Sequence, residues 1–263
     1  MIIITNCTDG STLSYPLALL EGTISNSKHQ NRTIEAYTDH DNTIISWPIV
    51  ASRFKVLISL KDGLNHITVQ SGFYSSKISV TYRDVLALSR YYVQPLYIIP
   101  RDHDGTFQAP AGMDNSIESA LRRISFGARL MQTFTSVSLL SHNLSPRTFQ
   151  LKNDEDSSCT LVFHSKLSTD ELTRLSGRDL WSQIAKEIMA SNLPEKRYCK
   201  FIAFLSSTRY NGHGWSPAWR HSDVLNNTKC HVALGECTSI QRPRNATLLV
   251  NHFCKQVFPP ISG

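Results

Sequence analysis

Phe54, Val56, Ile58 and Leu60 alternate with Lys55, Leu57 and Ser59, and Ile67 and Val69 alternate with His66, Thr68 and Gln70. A period of two puts one set of side chains on one face of a strand. Between the runs lies Lys61-Asp62-Gly63-Leu64-Asn65, rich in turn formers, so the pair is expected to form a hairpin. Shorter strands are expected at Ile2–Thr5, Leu17–Ile24, Thr33–Tyr37, Thr43–Trp47 and Ile78–Tyr82. Strands at this spacing predict an Ig-like β-sandwich over residues 1–108. The helical candidate in this stretch is Val85–Tyr92.

Arg101-Asp102-His103-Asp104-Gly105 and Gln108-Ala109-Pro110-Ala111-Gly112 read as a connector. Its Asp-rich turn lacks the alternate ligands and the distal Glu of a calcium loop, so a polar turn is expected. From Asp114 the period changes. Asn115 with Glu118 forms an expected capping box, and Ile117, Leu121, Ile124, Ala128 and Met131 follow at steps of three and four. This predicts an amphipathic helix ending past Phe134, with Arg122, Arg123 and Arg129 on a solvated face. A strand is expected at Thr160–His164, then a second capping box at Ser168 and Glu171. Gly177 is placed to interrupt the helical region that follows. Leu180, Ile184 and Ile188 make its stripe, with Trp181, Ala185 and Met189 beside it, and Asn192-Leu193-Pro194 stops it. Phe201–Leu205 is apolar throughout and predicts a central strand covered on both faces. Helix, strand, helix, strand predicts an α/β layer, giving an α+β chain of two domains.

Composition narrows the function. Hydrophobic residues make up 41% and charged residues 18%, which is globular rather than disordered. The formal charge of +6 comes from 27 scattered Lys and Arg, densest at Arg122-Arg123 and Lys196-Arg197. Nucleic-acid binding needs a concentrated basic stripe, so no nucleic-acid partner is expected. No stretch is long and apolar enough for a membrane span, and the N-terminal residues do not pattern as a secretory leader. A cytoplasmic protein with no membrane partner is therefore expected. The six cysteines form no C-x-x-C pair and are expected as free thiols, with Cys159 and Cys199 acting as small buried hydrophobes. There is no G-x-S-x-G, P-loop or G-x-G-x-x-G.

Four collinear segments, Pro95–Pro100, Asp102–Pro110, Asn115–Ile117 and Ala203–Tyr210, resemble a family of zinc metallopeptidases from fungi and insects, and the likeness runs from residue 1 to about Gly235. The resemblance implies a zincin-like domain in which an H-E-x-x-H helix supplies two zinc ligands one turn apart, with the Glu activating the metal-bound water. That helix is implied well beyond the segment matching His231–Gly235. This sequence departs at Glu236. None of its ten His is followed by Glu, so the motif is absent.

The reading is thus a β-sandwich at 1–108, an incomplete metallopeptidase-like α/β domain at 109–235 and a divergent, disordered tail at 236–263. It describes the N-terminal part of a zinc metallopeptidase, a truncated isoform or gene-model end that is inactive alone. Zinc belongs to full-length family members; in this chain no cofactor and no catalytic, cofactor-binding or metal residue is assigned. Cys230, His231, Cys237, His252 and Cys254 have the spacing C-H-x5-C and H-x-C, which does not pair close ligands as structural zinc sites do. His213 and His221 flank a loop, Gly214–Trp219, that with Arg220 could anchor a protein or peptide partner. The alternative function is a non-catalytic sandwich module that binds protein or carbohydrate. The unfinished sheet predicts an open apolar edge at Phe201–Leu205 and disorder after about Arg209.

Overall fold

The computed structural model describes residues 1–25, 33–41, 44–84, 91–152, 158–193, 198–210 and 215–217. Eight strands come first: β1 (Ile2–Ile4), β2 (Ser11–Leu13), β3 (Leu17–Ile24), β4 (Thr33–Thr38), β5 (Ile45–Val50), β6 (Arg53–Ser59), β7 (Gly63–Ser71) and β8 (Tyr74–Tyr82). They form one continuous sheet in the order β1-β3-β6-β5-β4-β7-β8-β2, not two separate sheets. The first and last strands in that order are neighbours in sequence, joined by the short Thr5–Gly10 link. The sheet must therefore curl until its two edges approach.

The corner of the curl is β5. It pairs with β4 through Ile45–Pro48 and with β6 through Ile49 and Val50. Pro48 sits at the handover between partners, where a missing N–H disturbs the ladders least. Alternation along each strand fills the enclosed space. Ala18, Leu20, Phe54, Val56 and Ile58 come from one wall, and Ile34, Ala36, Ile67, Val69, Ile78 and Val80 from the other, all nearly inaccessible to solvent. Each large apolar side chain buried this way contributes about 1.5–3 kcal/mol.

Two sequence expectations change here. β6 and β7 do not form a hairpin: β6 lies between β3 and β5, and β7 between β4 and β8. Lys61–Asn65 instead crosses from one wall to the other. Buried Asn65 organises it, accepting from Lys61 N at 2.9 Å and donating to the carbonyls of Lys61 and Gly63 at 2.8 and 2.9 Å. The tight hairpins are β5–β6, through Ala51-Ser52, and β7–β8, through Gly72-Phe73. Ala51 and Ser52 have φ of 49° and 60°, as a type I′ turn requires, without the Asn-Gly that usually signals it.

β9 (Tyr92–Ile99), α1 (Ile117–Ser141), β10 (Leu161–His164), α2 (Thr169–Arg174), α3 (Gly177–Ala190) and β11 (Cys199–Leu205) build the second layer. The three strands are parallel in the order β10-β9-β11. The central strand is therefore β9, which begins before residue 108, while Phe201–Leu205 lies on an outer strand. Among the described residues no strand pairs with the far edge of β11. Because β10 and β11 lie on opposite sides of β9, right-handed crossovers require their helices on opposite faces. The packing agrees. Leu96 and Ile98 face Leu172, Leu180, Ile184 and Ile188, whereas Tyr97 and Ile99 face Ala120, Ile117 and Leu121.

Helix α1 runs for 25 residues. Its cap is Ser116, whose Oγ accepts from Ser119 N at 3.2 Å, so the expected box at Asn115 and Glu118 is displaced by one residue. Asp114 fixes the shift by accepting from Ser116 N at 3.0 Å. The helix ends with Asn143 at φ 59° and Leu144 N donating to Leu139 O, a Schellman closure. Arg122 is exposed and paired with Asp114 at 3.1 Å, but Arg123 is half-buried over the Phe107 ring. The Ser168–Glu171 capping box forms as expected, and the break at Gly177 is supplied by Ser176, which caps α3. Cys159 is buried, whereas Cys199 is only partly so; these and Cys7 are free thiols.

A short hairpin pairs β12 (Thr208–Tyr210) with β13 (Trp215–Pro217), so Trp215 lies on a strand rather than in a loop. The helix considered at Val85–Tyr92 falls largely outside the described residues, and its last residue, Tyr92, opens β9. The described residues belong to one compact unit. Among them no helix is long and apolar enough to cross a membrane.

Candidate site at the ends of the parallel strands

The loops after β9, β10 and β11 meet at the carboxyl end of the parallel layer. The connections from β9 and β10 leave toward opposite faces, so this is a topological switch point, where open α/β sheets tend to hold ligands. Ile99 ends β9, and Arg101 N donates to Leu167 O at 2.9 Å. Asp102 Oδ1 accepts from Thr169 N at 2.6 Å and from its hydroxyl at 3.0 Å, tying the turn to the start of α2. Those bonds hold the Asp102 carboxyl below its ordinary range. Asp104 Oδ1 accepts from Thr106 N at 2.9 Å and Thr106 Oγ1 at 2.8 Å, which depresses it in the same way. Both carboxylates thus serve the polar turn expected from the sequence.

His103 and the β11 end come together across this turn. His103 Nδ1 accepts from Gly105 N at 3.0 Å and lies 3.3 Å from Ser206 Oγ. Accepting from a backbone N–H assigns the ring proton to Nε2. Tyr97 Oη donates to Gly105 O at 2.8 Å, and burial pushes its phenol up to about 12, with the Ser206 hydroxyl pulling the other way. Gly105 has φ of 81°, and a Cβ there would strike Ile117 and Ile99, so the turn admits no side chain at that position. Ser206 and Ser207 are both buried, and Ser207 Oγ meets no partner among the described residues.

This cluster does not make a hydrolytic triad. A triad needs the serine and the orienting carboxylate on different nitrogens of the imidazole. Here Asp104 lies 3.5 Å from Nδ1, the nitrogen that Ser206 also faces. Nor does it make a zinc centre: among the described residues no three His, Cys, Asp or Glu side chains converge as ligands. Two hollows lie elsewhere. One of about 540 Å³ is lined by Asp9, Tyr37, Asp39, His66, Lys77 and Ser79 on the curled sheet. The other, of about 390 Å³, lies between α2 and α3 beside Glu171, Arg174, Asp179 and Lys186.

Sequence reasoning took His103 as part of a turn and did not single out Ser206 or Ser207. The available signal was that each follows an apolar strand run, since residues at carboxyl ends of parallel strands converge. His213, His221, Arg220, Cys230, His231, Cys237, His252 and Cys254 lie outside the described residues.

Residues 1–241 match the model of a family described as "Putative peptidase family", Metallopep. A Schizosaccharomyces pombe protein named "Putative zinc metalloproteinase" is 23% identical over 175 residues, covering 65% of this chain. The chain matches only 28% of that relative's length. Among solved structures, an FMN-binding β-glucuronidase of Facaelibacterium prausnitzii aligns with 32% of this chain and 12% of its own, at 12% identity and a TM-score of 0.25. Domains 4 and 5 of the S-layer protein SbsC align with 31% of this chain and 50% of their own, at 17% identity and a TM-score of 0.22. Neither likeness is close enough to carry an argument about the fold.

Proposed function

This chain belongs to the Metallopep peptidase family, and on that premise we propose that it is the front portion of a zinc-dependent metallopeptidase that does not itself cut peptide bonds. The reading rests on one pairing of observations. The family model spans residues 1–241, and the 263 residues contain no H-E-x-x-H. Zinc, when held by such a helix, supplies an activated water. The described residues do not fit that group, since no three His, Cys, Asp or Glu side chains converge among them.

In this reading the curled sheet and the parallel layer are two domains. The parallel layer is the opening part of a zincin-like domain, and the far edge of β11, which pairs with no strand among the described residues, is where further strands would join. Metal analysis of the purified chain, with a peptide-hydrolysis assay in the presence and absence of chelator, tests the proposal. Substoichiometric zinc and no chelator-sensitive hydrolysis are expected. One zinc per chain together with hydrolysis that chelator abolishes would overturn it.

A further inference from the structure

One end of the curled sheet carries apolar side chains on separate tight turns. Phe73, at the β7–β8 tip, is fully exposed, and Val50, beside the β5–β6 tip, is 69% exposed. Tyr74 and Met1 are also exposed there. The register places all four at the same end. Ser71 Oγ donates to Thr33 O, Thr33 pairs with Pro48, Ser52 O accepts from Ile24 N, and Met1 O accepts from Ser25 N. The rim is therefore continuous, but its apolar groups stand on different segments.

Among the described residues of this rim, charge is one-sided. Residues 1–2, 23–25, 33–34, 48–53 and 71–75 include Arg53 and no Asp or Glu. The nearest carboxylates lie further down the walls. Glu35 accepts from Gln70 at 2.8 Å, and Glu21 pairs with Lys55 at 2.7 Å. At about 3.3 Å per residue, Glu35 sits roughly 7–10 Å below the Phe73 tip, near the depth an interfacial element reaches.

We propose that this rim docks on an anionic lipid surface, with Phe73 and Val50 entering the acyl boundary, Tyr74 at headgroup level and Arg53 against lipid phosphate. A fitted protein pocket would take one knob or a continuous ridge. A fluid interface takes separated apolar tips individually and rewards an adjacent cation. Sequence reasoning excluded a membrane partner because no segment spans, and peripheral contact needs none. The inference is independent of the peptidase reading.

Vesicle flotation of the full chain tests it, using phosphatidylcholine alone and phosphatidylcholine mixed with phosphatidylserine. Binding is expected to the mixed vesicles and to weaken with salt. F73S should lower the partition coefficient about tenfold while melting with the wild type, since a buried Phe ring is worth at least that factor. Absence of binding, equal binding to neutral vesicles, or F73S binding like wild type would each overturn the proposal. So would lipid-free self-association, measured by sedimentation, that F73S abolishes, because the rim would then be a contact between copies.

Discussion

Replacing Gly22 by alanine probes the curled sheet at its tightest point. Gly22 is buried in β3, opposite Ile4 of β1 and Phe54 of β6. A methyl group there would overlap the Ile3 carbonyl oxygen and Phe54 Cζ, and would lie 2.7 Å from Phe54 Cε1. The two obstacles differ in kind. The Phe54 ring is 2% exposed and can retreat only into a filled core. The Ile3 carbonyl is backbone, so it moves only if β1 shifts along its pairing with β3. Overpacking costs about 1–3 kcal/mol, and loosening of β1 pushes toward the upper figure. At about 2–4 °C per kcal/mol for a protein of this size, G22A should lower Tm by roughly 4–10 °C. Thermal unfolding followed by circular dichroism reads this directly. F54L removes the Phe54 Cζ and Cε1 atoms but leaves the Ile3 carbonyl, so G22A/F54L should still melt below F54L. A G22A protein that melts with the wild type would refute the steric account. A double variant as stable as F54L would refute the role of the carbonyl.

Two further outcomes follow from the turns and from Tyr97. Ala51 and Ser52 hold positive φ without the residues that adopt it readily, so A51N/S52G should raise the melting temperature by about 2–5 °C; an unchanged midpoint would show that the turn stores no strain. Burial raises the Tyr97 phenol from its ordinary value near 10 to about 12. The folded chain therefore keeps this proton longer than the unfolded chain. The associated stability is intact below pH 10 and declines as pH climbs toward about 12. Burial raises the Tyr82 phenol to about 12 as well, so tyrosinate absorbance should show a delayed component that Y97F reduces without abolishing, and an undiminished delayed component in Y97F would contradict the assignment.

Alternation made most of the curled sheet legible. Leu17–Ile24 was read to its ends, and β6, β7 and β8 were placed by their apolar faces. Periodicity reports which face a residue takes, not which strand lies beside it. That is why the Lys61–Asn65 turn suggested a hairpin where the chain crosses between walls. β9 gave no such pattern, because both its faces are buried and Pro95 argues against a strand. Pro95 is tolerated because β10 pairs only from Leu96 onward. The caps at Ser168 and Ser176 rest on local bonds, and the first was visible as a motif. The juxtaposition of His103 and Ser206 was not, since it depends on two parallel strands ending level with each other.

Helix α1 also reaches the curled sheet. Thr133 Oγ1 donates to Leu17 O at 2.7 Å, and Ser136 hydrogen-bonds the buried Tyr15. These contacts turn the helix into a shared beam rather than a private part of one layer. Severing the chain before it would strand a hydroxyl and a carbonyl that now satisfy each other, and would wet the tyrosine beneath. Expressed without the beam, the front strands would carry that penalty, so even as two domains the layers lean on one another through this helix.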